Sequence, residues 1–256
     1  MDKNLNKIIE EFKILTQKPC YQVELVNGEP LIFDDKIGGK PYLPIGEQYP
    51  LDKNGNPMAL LLQVNLRNVK DLRGFPREGV LEIFVSSNAG KYPLEYAFKL
   101  FKNDLEFQTQ LPDVNLNKFF FKNSHRIYLK KSIAHMPVSN YRFYFQVSRA
   151  IEKALGEKVY SGKVYQYLEQ FDDWQDEFEK QCNYPKITVG GYADFVQEDP
   201  REKGGSKLFD CVFKLDSNYD YNIFEIGDSG ILFALTEGSR FMVGDFSNSI
   251  VDFDCC

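Results

Sequence analysis

The segment Gly227-Asp228-Ser229-Gly230 holds the residue types that come nearest to catalysis. In a serine hydrolase such a hydroxyl is the nucleophile, a histidine takes its proton, and backbone N–H groups hold the oxyanion. His135 precedes the segment, and the order His, Asp, Ser is one of the known arrangements. The details argue against it. Ile231 stands where a further glycine is expected, His135 leads into Met136-Pro137, and His125 sits beside Arg126 and near Lys122, which oppose its protonation. We expect Gly227-Asp228 to be a turn, which Asp favours through local hydrogen bonds, and Ser229 to do no hydrolysis.

A second candidate is Asp216-Ser217-Asn218-Tyr219-Asp220, with oxygen donors at alternate positions as in a calcium loop. Such a loop needs a glycine next and a bidentate glutamate at its last position; Tyr221 and Gly227 stand there instead. A polar loop is the simpler reading, and cation binding by Asp216, Asn218 and Asp220 stays open. Asp52-Lys53-Asn54-Gly55-Asn56 reads as a tight turn. The five cysteines are Cys20, Cys182, Cys211, Cys255 and Cys256, with no C-x-x-C spacing. They are expected to be structural thiols, Cys211 as a small core residue; the role of Cys255 and Cys256 stays open. Neither glycine-rich phosphate motif is present. No catalytic residue, metal site or cofactor is therefore assigned, and the balance leans against an enzyme.

Composition narrows the partners. The 256 residues are 43% hydrophobic, enough for one large core or two fused halves. The net charge is −6, without a dense Lys/Arg run, which disfavours nucleic acid. The longest apolar runs, 59–62 and 230–235, are too short to span a bilayer, and the N-terminus has no apolar signal region. A cytoplasmic protein without a membrane partner is expected.

The elements that would position a site follow from periodicity. Ile8, Ile9, Phe12 and Leu15 predict an amphipathic helix over 2–18. Residues 20–34 alternate around Asn27-Gly28 and predict a hairpin. Gly39, Pro41, Pro44, Gly46, Pro50, Gly55 and Pro57 make 38–57 a long loop, packed down by Tyr42, Leu43, Ile45 and Tyr49. Strands are predicted at 59–66, 79–86, 95–101 and 104–109, with extended segments at 115–123 and around Ile127 and Leu129. Helices are predicted from Phe143 to Ala154 and over 162–181, the latter from Val164, Tyr167, Leu168, Phe171, Trp174 and Phe178. Only strands and turns are expected beyond Pro185.

Several landmarks recur. Gly191 follows Gly39, Pro200 follows Pro50, Lys214 follows Gln63 and Gly230 follows Gly79, each after 150 to 152 residues. The spacing predicts an internal duplication, with copies at about 38–86 and 190–236. The fold class expected is α+β: mostly antiparallel β-sheets in two related β-rich halves about a pseudo-two-fold axis, with a few flanking helices, as one domain over 1–256.

The runs Gly38-Gly39-x-Pro41-x-x-Pro44, Leu61-Leu62-Gln63-Val64-Asn65-Leu66 and Gly79-Val80-Leu81 resemble the YwqG-like family of bacterial proteins, a domain of unknown function. Gly190-Gly191-Tyr192 with Gln197, and Gly227-Asp228-Ser229-Gly230-Ile231-Leu232-Phe233, carry the resemblance through the second half. It implies a single α+β unit with an internal duplication, and no activity or catalytic residues. Ala193 and Val212-Phe213-Lys214 depart from the pattern.

The function expected is a non-catalytic binding or interaction module, with a protein partner of adaptor or immunity type. The alternative is an enzyme or small-ligand protein with its site in the cleft between the halves. Each Gly/Pro loop is expected near the other copy's strand. Tyr42, Pro44 and Tyr49 from the first loop, Tyr192, Gln197 and Asp199 from the second, and Glu225 and Asp228 before the last repeated strand are the candidate site residues.

Overall fold

A computed structural model describes residues 2–86, 94–102, 106–114, 120–121, 123–201, 210–217 and 224–255. Its elements are α1 (Lys3–Thr16), β1 (Lys18–Val26), β2 (Lys36–Ile37), β3 (Ala59–Asn65), β4 (Val80–Val85), β5 (Tyr96–Phe101) and β6 (His125–Ala134). Then come α2 (Phe143–Leu155), α3 (Val164–Leu168), α4 (Trp174–Gln181), β7 (Ile187–Gly190), β8 (Asp210–Asp216), β9 (Ile231–Thr236), α5 (Gly238–Phe241) and β10 (Ser249–Asp254). The ten strands among the described residues form one antiparallel sheet in the order β10-β9-β8-β7-β1-β6-β2-β3-β4-β5. The sheet curls until its edges meet: Tyr96 Oη on β5 donates to Ser249 O on β10 at 3.0 Å, and Phe98 stacks on Phe246. A nearly closed, barrel-like sheet hides the backbone edges that an open sheet exposes.

Beyond the central pair β1–β6, each half runs outward through four strands. The two halves repeat local geometry. In β3–β4, Ala59 faces Val85 and Asn65 faces Val80, with the register breaking between Leu60 and Leu62. In β8–β9, 151 residues later, Asp210 faces Thr236 and Asp216 faces Ile231, with the break between Cys211 and Phe213. At both strand ends a glycine carbonyl accepts the next N–H, Gly79 O from Leu66 at 2.9 Å and Gly230 O from Ser217 at 3.0 Å.

These strands read as continuous apolar runs because both of their faces are covered. Inside the curl lie Val23, Leu62, Val64, Leu81, Ile83, Val189, Phe213, Leu215, Leu232 and Val251, closed by Phe121, Phe224 and Phe241. Outside, the loop of the first half seals Leu60 and Phe84 with Met58 and Tyr49, and Val80 with Tyr42 and Leu43. Ala193 and Phe195 do the same for Cys211, Phe233 and Leu235.

The helices form a separate core. Asp2 caps α1 by accepting from Asn4 N and Leu5 N, as an N-cap carboxylate does. The buried stripe Leu5, Ile8, Ile9 and Phe12 meets Phe143, Val147 and Ile151 of α2 and Phe178 of α4. Phe12 touches Phe143 and Phe178 edge-on, both at 5.1 Å. No helix among the described residues is long and apolar enough to cross a membrane.

Four expectations change. Residues 20–34 form no hairpin. Gly28, at φ +105°, does turn the chain, but Pro30 cannot donate to a ladder, and β1 pairs with β6 and β7. The helix predicted over 162–181 is two, interrupted where Asp173 takes φ +53°. Its apolar period survives the break because both pieces face one cluster. The strand expected at 104–109 reduces, where described, to an isolated bridge between Phe107 and Pro44. A short helix, α5, stands between β9 and β10, where only strands and turns are expected. Most of 115–123, and Asn218, Asp220 and Cys256, lie outside the described residues.

Candidate functional site

The glycine pair ending β7 shapes the site. Gly190 and Gly191 both take φ +78°. A Cβ at Gly190 would sit 2.9 Å from Leu72 Cδ1, and one at Gly191 would sit 3.0 Å from Cys20 Cβ. Glycine is required there for conformation and for close approach. Beside the pair opens a cleft of about 280 Å³. Lys18 and Pro19 of β1, Asp71, Leu72, Arg73 and Phe75 of the loop after β3, and Asp210 and Cys211 of β8 line it. Its walls therefore come from both halves and from the central strand.

Its charges are arranged with care for position. Asp210 Oδ1 accepts from Lys18 Nζ at 3.1 Å, and both side chains are half-buried. Asp210 is held from behind, since a Cβ at Gly238 would fall 2.3 Å from its Oδ2. Asp71 accepts from the Lys131 ammonium and from Tyr21 Oη at 3.4 Å. The Lys131 bond holds the Asp71 carboxyl below its usual range. Burial pushes the Cys211 thiol up to about 11, so it is no thiolate nucleophile at neutral pH.

The Lys18–Asp210 pair also lines a second cleft of about 290 Å³, shared with Met136, Asn140, Tyr141, Arg142, Tyr192 and Arg201. Tyr192, a predicted site residue, lies under the Lys18 ammonium at 5.4 Å, and its Oη donates to Thr16 O.

The other predicted residues are dispersed. Tyr42 is fully buried against Phe101 and Phe107, and Pro44 bridges Phe107. Tyr49 packs on Phe84 and donates to Met58 O. The first loop thus covers its own half's β4, because Val80 and Phe84 on that outer face need a lid. Gln197 and Asp199 line another cleft, of about 610 Å³, with Asp252, Asp254 and Phe233. There Asp199 is bound twice by buried Arg201, at 2.7 and 2.6 Å, and Gln197 Nε2 donates to Cys255 O. Glu225 and Asp228 are exposed beside the turn at Gly227.

The serine, histidine and aspartate motifs are held in structural contacts. Ser229 sits in that turn at φ +62°, and Gly230 N donates back to Ile226 O at 2.7 Å. His135 Nδ1 accepts from Asn183 N at 2.8 Å. His125 lies against Phe224, and burial lowers its pKa. Asp216 accepts from Lys186 Nζ at 3.0 Å.

Lys18, Asp71, Arg73 and Asp210 were missed as a group because each is an ordinary charged residue in its own segment. The Gly190-Gly191 pair was the available signal, since two left-handed glycines at a strand end mark a close approach.

The first half contains a buried polar row with no counterpart in the periodicity. Lys36, Gln63 and Glu82 stand side by side across β2, β3 and β4, all at most 1% exposed. Tyr42 N donates to Gln63 Oε1 and Glu82 Oε1, while Lys36 Nζ donates to Leu31 O and Ile32 O. Glu82 Oε2 is buried without a hydrogen bond. Burial pushes the Glu82 carboxyl well above the carboxylate range and lowers the Lys36 ammonium to about 8.

The signs of these two shifts predict a pH profile. Native Glu82 keeps a proton that the unfolded chain releases, so its contribution to stability falls as pH rises above about 4.5. Native Lys36 sheds a proton that the unfolded chain keeps between about 8 and 10.5, so stability rises across that window. The second contribution amounts to about 3 kcal/mol. Urea titrations at several pH values should show the falling limb flattened in Glu82→Gln and the rising limb flattened in Lys36→Met. Unchanged slopes in both variants would contradict the assignment.

A curled antiparallel sheet with a helical side core and an inter-half cleft defines the chain as a β-rich α+β protein. Over residues 35–255 it matches the family described as "Domain of unknown function (DUF1963)", and it belongs to that family. No curated protein matches the chain.

Proposed function

We propose that this protein is a non-catalytic binding protein whose site is the cleft beside Gly190 and Gly191, and that it takes a small molecule there. The observation that carries the reading is an apolar seat, made by Pro19, Leu72, Phe75 and Cys211, ringed by Lys18, Asp71, Arg73 and Asp210 from three separate segments. Convergent polar groups around an apolar pocket are what small-ligand sites share. The neutral Cys211 thiol and the engaged His135 nitrogen support binding rather than covalent chemistry. We further infer that the two halves descend from one duplicated unit; the matched ladders, breaks and strand-entry glycines support it.

A fragment screen by thermal shift checks the site. A ligand at a hundred times its Kd should add about 2.7 kcal/mol of stability. Crystals soaked with the hits should show them against Leu72, Phe75 and Cys211. Hits seated elsewhere, or none, would sink the reading. A screen without hits would favour a second reading, a protein partner, which rests on Leu31, Phe33 and Ile45, exposed at 72%, 49% and 64%.

A further inference from the structure

We propose that the cleft beside Gly190 and Gly191 is selective for a small carboxylate with an apolar body, an inference that rests on reading this cleft as the binding site. The charges around the rim do not balance. Both acids of the cleft are already answered from within the protein, Asp210 by Lys18 and Asp71 by Lys131 and Tyr21. Arg73 lines the same cleft, is exposed, and among the described residues forms no ion pair. One positive charge is left over.

Each class of ligand meets that charge differently. A cation would have to break the Lys18–Asp210 or Lys131–Asp71 pair to gain a partner. A neutral ligand would leave the guanidinium as it is. A carboxylate completes it, because the planar fork of arginine matches a carboxylate with two parallel N–H···O bonds. The pair at Lys18 then serves as a fixed wall, held in place by the close approach of Asp210 to Gly238.

The apolar part of the ligand follows from the remaining walls. Pro19, Leu72, Phe75 and Cys211 offer carbon and sulfur surface, and the two glycines add no side chain between them. The volume of about 280 Å³ lies at the low end of ligand pockets, which suits a single ring or a short chain rather than a nucleotide or a lipid.

The test uses three compounds with one body: 3-phenylpropionate, 3-phenylpropanamide and 3-phenylpropylamine, titrated calorimetrically into the full chain. The acid should bind at least ten-fold more tightly than the amide and the amine. In Arg73→Gln that preference should disappear while the melting temperature stays unchanged. In Arg73→Lys part of the preference should remain, because charge is kept and the fork is lost. An amide or amine that binds the wild type as well as the acid overturns the carboxylate assignment and leaves the site standing. A preference that survives in Arg73→Gln overturns it too. If none of the three binds, the carboxylate assignment falls, and the fragment screen decides separately whether the cleft takes a small molecule.

Discussion

A chain trimmed to the family-matched segment, residues 35–255, should fail to reach this fold. The family match begins after α1 and β1, yet β1 lies in the middle of the sheet. It pairs with β6 from Lys18↔Ala134 to Val26↔Arg126 and with β7 through Cys20, Tyr21 and Gln22. Its removal leaves β6 and β7 with unpaired edges at the join of the two halves, which invites aggregation. It also removes Lys18 and Pro19 from the cleft and uncovers the helical core. The truncated chain should show no cooperative urea transition by circular dichroism. A milder version isolates the helix: Phe12→Ala opens a cavity between Phe143 and Phe178 and should cost about 3–5 kcal/mol. A trimmed chain that is soluble and unfolds cooperatively would show that the central strand is dispensable.

Gly230→Ala is expected to be the most damaging conservative change in the second half, at about 2–4 kcal/mol. The reason is crowding by backbone, which cannot swing aside as a side chain can. A Cβ there would lie 2.3 Å from Ile226 O, 2.7 Å from Ile226 Cγ2 and 3.0 Å from Asp254 O. Its counterpart Gly79 is similarly confined, with a Cβ falling 2.7 Å from Phe101 O at φ +113°. Gly46 provides the comparison, since its φ is +90° but nothing lies within 4 Å of a Cβ. Gly46→Ala should therefore show the conformational cost alone, about 1–2 kcal/mol. Urea midpoints for Gly230→Ala, Gly79→Ala and Gly46→Ala separate the two effects. Equal losses at positions 46 and 230 would mean that crowding at the strand entry has been overestimated.

Much of the local structure was legible because it is written in short-range pattern. The apolar period of α1, the apolar runs of β3, β4, β8 and β9, and the glycines opening β4 and β9 each depend on neighbours a few residues away. The recurrence of Gly39 and Gly79 at Gly191 and Gly230 was visible for the same reason, and the matching ladders sit at that spacing.

What tertiary structure decided is which segments meet. Alternation around Asn27-Gly28 cannot distinguish a hairpin from a strand whose partners lie 100 or more residues away, and β1 takes the distant partners. An unbroken apolar period from Val164 to Phe178 cannot reveal the left-handed residue Asp173, since two short helices facing one core keep the same period. Lys36, Gln63 and Glu82 are polar types that composition assigns to the surface, and the segments 31–34 and 38–57 packed over them make them buried. The cleft depends most on the fold. Lys18, Arg73 and Asp210 are far apart in the chain, and no local pattern links them. The sequence by itself determined β3, β4, β5 and β9, the first helix and the glycines; the curl of the sheet determined the site, because charge pairing and enclosure depend on distances in space rather than along the chain.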